Sequence, residues 1–143
     1  MTSATKTESN VEQAVPSFLV SDIAASIRYY VDGLGFEMTN KWIDEGKLRW
    51  CWLQVGGAAL MLQELRKDRV PEGKLGFGVS ICFQCKDALA IYHEIVLNGI
   101  QPGKPFVGNG MWVTTLSDPD GYKIDFQSPT NVPEGTEYAQ PGG

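Results

Sequence analysis

The chain has 143 residues, 43% hydrophobic and 20% charged, and its 12 lysines and arginines against 17 aspartates and glutamates give a net charge of −5. That length and hydrophobic content, with four tryptophans, exclude a disordered chain, and the acidic balance speaks against a nucleic-acid partner. One histidine excludes a two-histidine metal site in a single chain, three cysteines do not form a disulfide framework, and no apolar run is long enough for a membrane partner.

Residues 1–12 are polar, lack the apolar core of a signal peptide and read as a flexible tail, which makes a cytoplasmic location the expectation. Residues 16–20 read as a short strand. Ser21 and Asp22 then offer a helix N-cap, because their side-chain oxygens can accept orphan backbone N–H groups. Ile23, Ile27, Tyr30, Val31 and Leu34 follow at helical spacing, and Gly33 and Gly35 stop the helix. Residues 36–43 are extended, 44–46 turn, and 48–55 and 58–63 form strands around a Gly56-Gly57 hairpin. A charged connector spans residues 65–76.

The pattern then restarts. Residues 79–85 read as a strand, Asp87 as a cap, and Ala88, Ile91, Tyr92, Ile95 and Val96 as one helical face ended by Asn98-Gly99. Pro105 marks 105–107 as an edge strand. Gly108-Asn109-Gly110 turns the chain into a strand over 111–117, Asp118-Pro119-Asp120-Gly121 has the composition of a type I turn, and 122–127 is the last strand. Residues 130–143, rich in proline and glycine, read as a second flexible tail.

The halves superpose: Phe18 falls on Phe83 and Asp22 on Asp87 at one separation, and Met61-Leu62-Gln63 falls on Asp125-Phe126-Gln127 one residue short of it. Residues 13–129 therefore divide into module one (13–64), the connector (65–76) and module two (77–129), an internal duplication. Phe18-Leu19-Val20-Ser21-Asp22-Ile23, with Ser26, Tyr29, Tyr30 and Leu34-Gly35-Phe36, resembles the opening signature of the vicinal oxygen chelate superfamily. Asp118-Pro119-Asp120-Gly121-Tyr122 with Ile124-Asp125-Phe126 resembles its closing hairpin and strand. That family includes glyoxalase I, extradiol dioxygenases, fosfomycin-resistance enzymes and bleomycin-binding proteins. The resemblance implies an α+β fold, two tandem βαβββ modules whose curved mixed sheets enclose a cleft, and a homodimer.

Metal-dependent members of that family take ligands from the first and last strand of each module. Carried onto this sequence, those positions are Val15, Ser80, Met61 and Asp125. Only Asp125 is a plausible donor to a hard or borderline cation, so no metal and no cofactor are expected. His93 reads as an exposed surface residue on the second helix. Cys82-Phe83-Gln84-Cys85 has C-x-x-C spacing, but on a strand its thiols point to opposite faces.

Strand alternation also assigns the lining. If Val15 and Ser80 mark the cleft side, then Ser17, Leu19, Cys82 and Gln84 join them, as do Met61, Gln63, Asp125 and Gln127. Trp50, Trp52 and Gln54 share a face opposite Cys51, Leu53 and Val55, and the tryptophans go to the cleft because the other set makes the better core. Trp112 has the opposite parity and reads as packing; Glu64 also lies at opposite parity, which disfavours it as a carboxylate partner for Asp125. The candidate ligand-binding set is Trp50, Trp52, Met61, Gln63, Ser80, Gln84, Asp125 and Gln127, with no catalytic residue assigned. It suits a metal-independent protein of the bleomycin-resistance type that sequesters a planar or cationic compound. Two alternatives stay open: an enzyme of the same fold (lyase, isomerase or glyoxalase-like) using Asp125 for acid–base chemistry or an unrecognised metal site, and a sensing or scaffold module.

Overall fold

The computed structural model describes residues 9–66, 68 and 73–139. Module one runs β1 (Ser17–Val20), α1 (Ile23–Ile27), a π-helical turn (Arg28–Gly33), β2 (Glu37–Asp44), β3 (Lys47–Val55) and β4 (Ala58–Glu64). Module two runs β5 (Ser80–Gln84), α2 (Ala88–Leu97), β6 (Phe106–Gly108), β7 (Met111–Ser117) and β8 (Lys123–Pro129). The fold is α+β, two mixed four-stranded sheets ordered β1-β4-β3-β2 and β5-β8-β7-β6, with β1–β4 and β5–β8 parallel.

Local chemistry explains the element ends. Asp22 and Asp87 each cap a helix, accepting from Ala25 N at 3.2 Å and from Leu89 N and Ala90 N at 3.1 and 3.0 Å. Two hairpins use paired left-handed residues, Glu45-Gly46 and Asn109-Gly110, whose backbone twist matches that of the flanking strands. The helix-facing sides of both sheets share one core: Cys51, Leu53, Leu60 and Leu62 from module one join Phe83, Ile124 and Phe126 from module two.

The modules meet at the turn between β7 and β8. Tyr122 stacks on Phe18 with centroids 4.0 Å apart and donates its hydroxyl to Leu19 O at 2.8 Å. Tyr30 donates to Asp118 Oδ2 at 2.6 Å, and Tyr29 to Ser117 O at 3.1 Å. Ser21, expected to share the helix cap, instead gives its hydroxyl and its backbone N–H to the two oxygens of Asp120. Asp118 is 5% exposed, and its Oδ1 accepts from the backbone N–H groups of Asp120 and Tyr122. Burial pushes its carboxyl above the usual range, and these hydrogen bonds pull it only part of the way back. Gly76 lies against the same turn, where a Cβ would collide with the backbone of Gly121 and Tyr122.

Two expectations need correction. Residues 130–139 are not a free tail: Val107 N donates to Thr136 O, Gly135 N to Val107 O and Tyr138 N to Pro105 O, tying the segment along β6. The sequence looked tail-like because these bonds are made by the backbone and carry no side-chain signature. His93 is half-buried rather than exposed, because Tyr138 from that segment covers it with an oxygen 2.8 Å from Nε2. Tyr138 also meets Trp112 edge-on, so Trp112 packs as its parity predicted. Residues 1–8 and 140–143, parts of the two expected tails, and positions 67 and 69–72 of the connector lie outside the described residues.

Candidate functional site

The strand ladders show which side chains share a face. In module one Met61 lies between Ser17 and Trp52, and Gln63 between Leu19 and Trp50. In module two Asp125 lies between Cys82 and Thr115, Gln127 between Gln84 and Val113, and Lys123 between Ser80 and Ser117. The alternate residues turn to the helices: Glu64 accepts from Ile23 N at the start of α1, and Ser128 accepts from Ala88 N at the start of α2. All eight candidate residues therefore share the helix-distal sides of their sheets.

Their environments differ. Trp50, Trp52, Met61 and Gln127 are half-buried, Gln63, Ser80 and Gln84 are exposed, and Asp125 is 8% exposed. Trp52 Nε1 donates to Gln54 Oε1 at 3.1 Å, which leaves its ring face free of polar demands. Gln84 Nε2 donates to Gln127 Oε1 at 3.3 Å and to Cys82 Sγ at 3.2 Å. Burial and then the Asp125 carboxylate push the Cys82 thiol up, so it stays protonated at neutral pH and is a poor nucleophile. Cys51, sealed in the core, is pushed up to about 11 by burial. Asp125 Oδ1 has no hydrogen-bond partner, and Oδ2 lies 4.0 Å from Lys123 Nζ.

One neighbour escaped the sequence reading. Trp42 pairs across the ribbon with Trp50 and is 54% exposed, so it extends the tryptophan face by one strand. Counting from the Glu45-Gly46 turn would set Trp42 opposite Arg49, but an irregularity between Trp42 and Ile43 shifts the register by one. In a single chain the candidate residues are half-buried or exposed, Asp125 excepted. Two surface concavities, of about 210 and 300 Å³, lie at the connector (Ser21, Leu65, Lys74, Asp120) and beside β7 (Gln101, Thr115, Ser117, Lys123), and neither is lined by any of the eight.

Residues 13–126 match the Glyoxalase/Bleomycin resistance protein/Dioxygenase superfamily. The chain belongs to this superfamily. The fold is shared with TioX from Micromonospora sp. ML1, at 15% identity and a TM-score of 0.68 over 83% of this chain and 99% of that one. It is equally similar to TnmS3, an antibiotic binding protein from Streptomyces sp. CB03234, at 21% identity and a TM-score of 0.68 over 85% and 99%. A glyoxalase family protein from Enterococcus faecalis follows at 21% identity and a TM-score of 0.64 over 81% and 96%. Among curated protein sequences none matches this one.

Membership of the superfamily raises the question of its metal. The four positions implied by the resemblance hold Val15, Met61, Ser80 and Asp125, a set that offers one carboxylate and does not fit a divalent cation. Among the described residues no group of three or more histidines, cysteines, aspartates or glutamates comes together. Glu64, the nearest carboxylate in sequence to a shifted ligand position, is on the opposite face and held by Arg49 at 3.3 Å.

Proposed function

We propose that this superfamily member is a metal-independent small-molecule binding protein that takes a planar or cationic compound against its helix-distal sheet faces. The observation that carries this is the tryptophan row: Trp42, Trp50 and Trp52 occupy one side of a two-stranded ribbon, none of them in the core. Large indoles left half-exposed on one side offer flat area for stacking and quadrupoles for a cation. Asp125 adds a negative group, and the donor set around it is too poor for a metal. TnmS3, an antibiotic binding protein of the same fold, supports a small-molecule binding role.

A second copy of the chain completes the site in this reading, since seven of the eight residues are half-buried or exposed in one chain and a two-fold partner supplies the opposing wall. Sedimentation should then give a dimer that persists at micromolar concentration.

The test is tryptophan fluorescence during titration with planar amines and aromatic cations. Binding should quench emission, and Trp50→Phe with Trp52→Phe should abolish the response; a response that survives the double substitution sinks the tryptophan-wall assignment. Zinc, nickel or iron retained one-to-one after purification would overturn metal independence.

A further inference from the structure

The module-two face holds a carboxylate whose hydrogen-bonding capacity is mostly unused. Asp125 is 92% shielded by the fold, being 8% exposed, yet its Oδ1 is cut off from solvent and has no partner. Buried carboxylate oxygens are ordinarily satisfied by N–H or O–H donors, so an orphan of this kind asks for an explanation. The one cation nearby does not satisfy it. Lys123 Nζ is 4.0 Å from Oδ2, beyond the roughly 2.7–2.9 Å of a charge-assisted hydrogen bond, and its side chain is 57% exposed.

The neighbours sharpen the demand. Cys82 and Thr115 flank Asp125 across the ladder. Gln84 spends its N–H group on Cys82 Sγ and Gln127 Oε1, which leaves its own carbonyl oxygen as another acceptor. The Cys82 thiol and the Thr115 hydroxyl, the donors nearest in the ladder, do not reach Oδ1 either. Tryptophan faces attract any cation, including a quaternary ammonium that has no N–H. An unpaired carboxylate oxygen discriminates further, because only a donor can satisfy it.

We propose that the ligand carries a protonated amine or amidine that donates N–H hydrogen bonds to Asp125 and displaces the loosely held Lys123 ammonium. This rests on the ligand-binding reading above. Lys123 is then the resident cation of the free protein, and the site selects cations with N–H groups over fully alkylated ones.

The experiment compares benzamidine with phenyltrimethylammonium, two cations on a planar ring, on the full-length protein labelled with ¹⁵N. Benzamidine should shift the amide signals of Cys82 and Thr115. Asp125→Asn should weaken it about tenfold, the scale of one hydrogen bond to a charged group. Lys123→Met should tighten it several-fold by removing the competing ammonium, an effect of opposite sign that general loss of structure cannot produce. Phenyltrimethylammonium should bind more weakly than benzamidine and lose distinctly less to Asp125→Asn, only the charge attraction and no hydrogen bond. Equal affinity for the two probes, indifference of benzamidine to Asp125→Asn, weakening by Lys123→Met, or no shift from either probe overturns the proposal. Neutral indole separates the two readings: shifts at Trp50 and Trp52 with indole alone leave the tryptophan face standing, whereas silence from all three compounds removes that reading as well.

Discussion

In module one Ser17 pairs with Met61 and the next rung is Phe18 with Leu62; in module two Cys82 pairs with Asp125 and the next rung is Phe83 with Phe126. The core rungs Phe18–Leu62 and Phe83–Phe126 are alike in both halves, and the outward rungs beside them differ, with methionine and tryptophan in one and aspartate and threonine in the other. A strand's two-residue period lets its faces change independently, so a duplicated frame can keep one core while its outer sides become an aromatic wall and a polar one. The periphery diverged too. Module one carries β2 as an eight-residue strand, whereas β6 in module two has three and is backed by the hydrogen-bonded segment 130–139.

The division of labour between the faces is open to direct attack by substitution. The largest contrast lies between adjacent residues of one strand: Leu62→Ala should cost about 2–5 kcal/mol in urea unfolding, and Gln63→Ala should stay within about 0.5 kcal/mol. Comparable losses at both would mean that the outer face also holds the fold together. Between the modules, Tyr30→Phe leaves Asp118 Oδ2 buried and unpaired and should cost about 1–3 kcal/mol.

Asp118 also sets a pH dependence. Its folded-state value is raised, so across the window from about 3.9, the ordinary aspartate value, up to that raised value the folded protein holds the proton more tightly than the unfolded chain. Its contribution therefore favours folding most at the acid end and declines as pH rises through the window. Asp118→Asn should remove this slope from unfolding curves measured between pH 4 and 7, and an unchanged slope would show that the group does not titrate there.

The smallest effect compares the two helices. Ser26 is fully buried with an unsatisfied hydroxyl, and its counterpart in the duplication is Ile91, which packs against the core. Ser26→Ala should be neutral or stabilise by up to about 1 kcal/mol.

Much of this was legible in the sequence because period and parity are local. The faces of β3, β4 and β8 followed from alternation, and the duplication followed from Phe18, Asp22 and their repeats. What escaped depends on register and distance. Trp42 was hidden by one shifted ladder position, and Tyr30 looked like an ordinary apolar-stripe residue because its hydroxyl partner, Asp118, is far away in the chain. Segment 130–139 has a tail's composition and is held by backbone bonds together with Tyr138, whose partners His93 and Trp112 are far away in the chain. Whether the faces close into a cleft depends on what sits opposite them, which strand patterning cannot encode.

The joint at the β7–β8 turn also has a consequence for heredity. Ser21, Tyr29 and Tyr30 lie before the connector, and Ser117, Asp118 and Asp120, which they contact, lie after it. A recombination crossover in the connector, where a two-module gene invites one, would part each hydroxyl from its acceptor. Chimeras between relatives should therefore fold only when both parents spell this joint alike, so that the two halves, for all their likeness, are not free to be exchanged.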